Sequence, residues 1–150
     1  MNESDRTRAY VQAWIRKAES DVNNARLILA SQEEAPPLDT VCFHCQQAAE
    51  KYLKAFLVDR DVSFLHSHNL SDLVVACAEA DGAFAAVRTK AETLTPYAVE
   101  IRYPDDFYMP MRHEAEEAYE IALEIKQLVL VRLSVASDNT PSTHTTEPPR

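Results

Sequence analysis

The chain has one glycine, Gly82, in 150 residues. Tight β-hairpin turns need residues that accept positive φ, and glycine is the usual supplier. Phosphate loops and dinucleotide fingerprints need several glycines for close backbone approach. A chain with a single glycine therefore excludes both and points away from sheets. Its abundant Ala, Leu, Glu and Lys favour helix. An all-α protein is the expectation.

Apolar periodicity places the helices. Val11, Ile15, Ala18, Val22, Ala25 and Leu29 recur at steps of three and four, predicting a first helix over residues 4–31. Pro36 and Pro37 cannot continue it. A second helix is predicted to start at Asp39 or Thr40, both good N-caps, and to run to Asp59. Cys42, Cys45, Ala49, Tyr52 and Phe56 form its apolar stripe. Leu70, Leu73, Val74 and Cys77 mark a short third helix, with Asp81-Gly82 as its stop. Phe84, Val87, Ala91, Leu94, Ala98 and Ile101 predict a fourth helix, kinked or restarted at Pro96. Ala115, Ala118, Ala122, Ile125 and Val129 predict a fifth over residues 112–135. Four long striped helices make an antiparallel four-helix up-and-down bundle, with the short third helix as an additional element. Residues 1–135 read as one domain. Residues 136–150 are rich in Pro, Ser and Thr and read as a disordered tail.

The formal net charge is -9, so any nucleic-acid contact has to come from a local basic patch. No apolar run reaches the length of a membrane span, and Met1 to Arg8 carry charges with no apolar stretch behind them, so no signal peptide is expected. A soluble, cytoplasmic chain is expected, with Cys42, Cys45 and Cys77 reduced. The Cys42-x-x-Cys45 pair lies on the apolar stripe and reads as buried structure. No metal or cofactor is expected.

The second helix carries a further row, Phe43, Gln47, Glu50, Lys54 and Leu57, apolar at its ends and polar in its middle. Gln46 and Lys51 lie beside it. Glu50 with Lys54, and Gln47 with Lys51, are four residues apart and predicted to pair. The row reads either as a solvated face or as a partner surface whose ends, Phe43 and Leu57, are covered in an oligomer. Downstream, Arg102, Tyr103, Asp105 and Asp106 stand at a helix end beside Pro104, a placement common for functional groups.

The words F-H-x-x-Q-A-x-E-K-x-L-K-A from Phe43 to Ala55, H-x-L at His68 to Leu70, and R-Y-P at Arg102 to Pro104 resemble the HEPN family of small prokaryotic helical bundles. The resemblance spans roughly residues 14–133. It implies the helical-bundle fold and a homodimer. It also implies a place beside a minimal nucleotidyltransferase in a toxin–antitoxin-like pair. HEPN ribonucleases use an Arg followed four to six residues later by a His. Arg102 matches the Arg by position, but the next histidine is His113, so the motif is not intact. Arg60 and His66 meet the spacing in another loop. The expectation is therefore a non-catalytic module that binds a nucleotide or a partner. Its cleft would be lined by Gln47, Lys51, Lys54, His68, Arg102, Tyr103 and Asp105. Metal-independent RNA cleavage with Arg102 and His66 as catalytic groups is the alternative, and a self-associating scaffold is the second. Tyr103 and Tyr108 are further candidates, as acceptors of a nucleotidyl group from the partner.

Overall fold

The structure is a computed structural model that describes residues 2–64, 67, 69–99 and 108–133. Five α-helices make up the described chain: α1 (Glu3–Leu29), α2 (Leu38–Asp59), α3 (Leu70–Ala80), α4 (Arg88–Leu94) and α5 (Arg112–Leu130). No strand occurs among the described residues.

Each boundary has a local cause. Asn2 caps α1 through the Asp5 amide at 2.8 Å, and the Asp5 carboxylate accepts back from the Asn2 amide. This reciprocal pair satisfies two donors that a helix start leaves open. The second helix begins earlier than expected, at Leu38. The Pro37 carbonyl already accepts from Thr40 and Val41, so Asp39 and Thr40 lie inside the first turn rather than capping it. Asn69 caps α3 by accepting from the Ser71 and Asp72 amides.

At the end of α2 the Val62 amide donates to the Leu57 carbonyl and the Asp61 amide to Val58. This double closure requires a left-handed residue just past the helix, a position glycine usually fills. Here Asp61 fills it, at φ 54°. Gly82, by contrast, has no positive φ and open space around its missing Cβ, so it is not a required helix stop.

The fourth arm departs from one continuous helix. It is a 3-10 helix at Gly82–Val87, then α4, then a 3-10 turn at Thr95–Ala98. Pro96 neither kinks the α-helix nor restarts it; α4 stops at Leu94 and the chain tightens into the turn. Phe84, Val87, Ala91 and Leu94 are nevertheless buried in sequence. Steps of three and four serve both helix types, so the apolar pattern survives the change of pitch.

Helix directions follow from the pairs that join them. Asp21 of α1 meets His44 and Lys51 of α2, while Trp14 meets Lys54, so α1 and α2 are antiparallel. Phe84 packs on Phe56 with ring centroids 4.5 Å apart, and Tyr97 lies beside Cys42 at the other end of α2. The 82–98 arm is therefore antiparallel to α2. Arg60 donates to the Arg132 carbonyl, and Glu114 lies near Cys42, so α5 runs with α2. The result is the up-and-down four-helix bundle, with α3 as the extra element. Its centre is α2, whose Tyr52, Leu53, Phe56 and Leu57 are fully buried.

All three cysteines are free and buried in this core. Burial pushes the Cys42 thiol up to about 11 and the Cys77 thiol up to about 12, so both stay protonated and unreactive.

The left-handed position at Asp61 generates a test. Asp61→Val is expected to lose about 1–3 kcal/mol in urea denaturation, because a β-branched residue resists positive φ. Asp61→Gly should lose none. Equal losses in the two variants would show that the backbone is not the constraint.

Candidate functional site

The polar residues of α2 do not form a solvated row. Gln46, Glu50 and Lys54 are 0%, 4% and 5% exposed. Leu57, read as an oligomer contact, is already covered within the monomer. The cause is α1, which packs along this side of α2. It brings one unexpected acid, Asp21, itself 7% exposed.

Asp21 uses both carboxylate oxygens. Oδ1 lies 2.8 Å from His44 Nδ1 and Oδ2 lies 2.5 Å from Lys51 Nζ. A carboxylate only accepts, so His44 carries its proton on Nδ1, and in the neutral ring Nε2 keeps a lone pair. Lys51 thus pairs across the helix interface rather than with Gln47, because a carboxylate is a stronger acceptor for an ammonium than an amide is.

The deeper half of the row does pair within α2. Lys54 Nζ donates to Glu50 Oε2 at 3.1 Å. Gln46 donates to Glu50 Oε1 at 3.4 Å and accepts from Gln47 at 2.7 Å. Lys54 is also bracketed by aromatic faces, with Nζ 5.5 Å from the Trp14 ring centroid and 5.7 Å from that of Phe64. Such contacts replace part of the hydration a buried ammonium loses.

Each lysine of this seam is therefore matched by one carboxylate. The parts that reach solvent are His44 and Lys51, each with about a fifth of its side chain exposed, and the half-buried Phe43 and Gln47. Phe43 meets the His44 ring edge-on, centroids 5.6 Å apart.

A second polar pair stands where α5 begins. Tyr108 is 55% exposed and its hydroxyl donates to Glu114 Oε1 at 2.7 Å; Oε2 accepts from the Met111 amide at 3.0 Å. The hydrogen bond to Glu114 raises the Tyr108 phenol above its usual range. The bonds from Tyr108 and then Met111 lower the Glu114 carboxyl. This loop anchor is accordingly present above the ordinary carboxylate range and below the ordinary tyrosine range. It weakens as pH falls through the Glu114 value or rises through that of Tyr108.

The remaining sequence candidates, Arg102, Tyr103, Asp105, His66 and His68, lie outside the described residues. Their described flanks meet α2 at two levels: Tyr97 beside Cys42, and Phe64 beside Lys54. Those levels are twelve residues, or about 18 Å, apart on the helix. Of the proposed cleft, Gln47, Lys51 and Lys54 are brought together. Asp21 and His44 were not singled out from sequence. One signal was available: Asp21 interrupts the row Trp14, Ala18, Asp21, Ala25, Ile28, where every other member is apolar.

The all-helical up-and-down bundle is the architecture of a small helical-domain family. The chain belongs to the HEPN domain family, whose model matches residues 11–132. It is also similar to the crystal structure of an archaeal HEPN homologue, at 26% identity and a TM-score of 0.65. That match covers 82% of this chain and 97% of the other. No curated protein matches the chain. Among the described residues, no helix is long and apolar enough to cross a membrane.

Two expectations follow. Asp21→Ala should lower stability by about 2 kcal/mol in urea denaturation, since it strands Lys51 in the seam. A loss below about 0.5 kcal/mol would make the carboxylate dispensable. Separately, Tyr108 should ionise above an ordinary tyrosine when followed by ultraviolet absorbance. Glu114→Gln should bring it back down; no change in that variant would remove Glu114 as the cause.

Proposed function

We propose that this HEPN domain is a non-catalytic module that binds a protein partner, in a pair with a minimal nucleotidyltransferase of the toxin–antitoxin-like kind. The observation that carries this reading is the charge matching of the seam. Lys51 is held by Asp21 and Lys54 by Glu50, so neither cation is free to grip phosphate. A face whose lysines are charge-matched and that still presents Phe43, Gln47, His44 and Lys51 suits a protein surface better than a nucleotide cradle. The family resemblance extends the reading to a homodimer, with Arg102, Tyr103 and Asp105 near the partner.

Nucleotidylation of the chain by that partner belongs to the same reading. Tyr108 is exposed, and Glu114 is placed to take its proton. The Tyr108 oxygen would attack the α-phosphorus of a nucleoside triphosphate bound to the partner. The Oη–P bond forms, the bond to the β-phosphate oxygen breaks, and pyrophosphate leaves. Incubation with the nucleotidyltransferase and a nucleoside triphosphate should add one nucleotidyl mass, lost in Tyr108→Phe. Failure to bind such an enzyme in hydrodynamic measurements would remove the partner reading altogether.

One observation favours the alternative, metal-independent RNA cleavage. His44 is oriented through Nδ1 by a buried carboxylate, as a proton-transfer histidine must be. That reading requires metal-free cleavage lost in both Arg102→Ala and His44→Ala. Activity unchanged in both would leave the module reading in place.

A further inference from the structure

At the far end of the bundle, where α1 begins and α2 ends, lies an open groove of about 410 Å³. Tyr10, 53% exposed, borders it, and Val58 and Val62 give it an apolar wall. Arg6 and Asp61 place one cation and one anion on it. Neither side chain has a hydrogen-bond or ion-pair partner among the described residues. The Thr7 and Ser63 hydroxyls also line it.

An aromatic ring, an apolar wall and scattered donors suit an extended proline-bearing segment. A polyproline-II strand has no internal hydrogen bonds, so its carbonyls seek outside donors, and its rings pack on aromatic faces. The lone Arg and lone Asp add a requirement for one acid and one base.

The chain contains such a segment: Glu147, Pro148, Pro149, Arg150. In a polyproline-II strand, residues three apart lie one turn apart, so an acid at 147 and a base at 150 would project from the same side, about 9 Å from each other. Reach is no obstacle. Helix α5 closes beside this end of α2, where Arg60 donates to the Arg132 carbonyl at 2.9 Å. Residues 134–146 can extend about 43 Å.

We propose that this groove recognises a polyproline-II segment with an acid–Pro–Pro–base pattern, and that residues 147–150 occupy it within the same chain. Glu147 answers Arg6, Arg150 answers Asp61, and the prolines cover Tyr10. A tethered segment meets its groove at millimolar effective concentration, so even a weak site fills. A partner that presents the same pattern has to displace it.

The test is amide NMR on the full chain. Replacing Pro148→Ala and Pro149→Ala together should shift the Thr7, Tyr10, Asp61 and Ser63 signals. Adding the peptide TTEPPR to that variant should return them toward their original positions. Arg6→Glu should weaken this peptide tenfold or more, and a peptide with Arg in place of Glu should rebind to it. Groove signals identical in the native chain and the double proline variant would overturn the proposal. So would shifts that depend on protein concentration, which would place the segment in a second copy.

Discussion

The pairing of α1 with α2 through the Asp21 carboxylate is the constraint on which the site depends. Lys54 and Glu50 are buried along one side of α2 with Lys51 partly buried beside them, and a charge in that position is costly unless it is matched. Asp21 matches Lys51 and orients His44, while Glu50 matches Lys54. Trp14 and Phe64 then cover the Lys54 ammonium. A register slip of α1 would move Asp21 away from both partners while its apolar stripe still found contacts. Apolar stripes set which faces meet; this carboxylate selects how they align.

That division of labour explains what the sequence made legible. The three long helices, their directions and the short α3 follow from apolar steps and turn residues alone. So does the antiparallel order, because short connections leave few alternatives. The fourth arm was misread in form but not in face. Phe84, Val87, Ala91 and Leu94 point inward in either helix type, and only hydrogen-bond spacing separates the two.

The polar row of α2 shows where single-helix reasoning fails. Within α2 alone, Gln46, Glu50 and Lys54 look like residues made for water. What covers Lys54 is Trp14, forty positions away, and what matches the neighbouring Lys51 is Asp21, thirty away. Charge at a helix surface carries no label saying whether another helix covers it. The useful sign lies in α1, where one acid breaks an otherwise apolar row. Reading the rows of two helices against each other would have paired Asp21 with Lys51.

The same matching bears on what the domain can do. A site for phosphate needs cations in excess over anions, held where water is thin. The described seam has neither excess, since each lysine already has its carboxylate. It does keep one chemical asymmetry, a partly exposed His44 whose Nδ1 is held by Asp21, which leaves Nε2 for another partner. An orienting carboxylate is equally useful for fixing a contact residue and for moving a proton, so geometry at His44 alone does not divide the two. What divides them is whether a phosphate-gripping cation stands opposite Nε2. Lys51, the nearest candidate on the same helix face, is already spent on Asp21. A protein partner, which needs shape and a few directed hydrogen bonds rather than excess charge, asks nothing of Lys51 that Asp21 has taken.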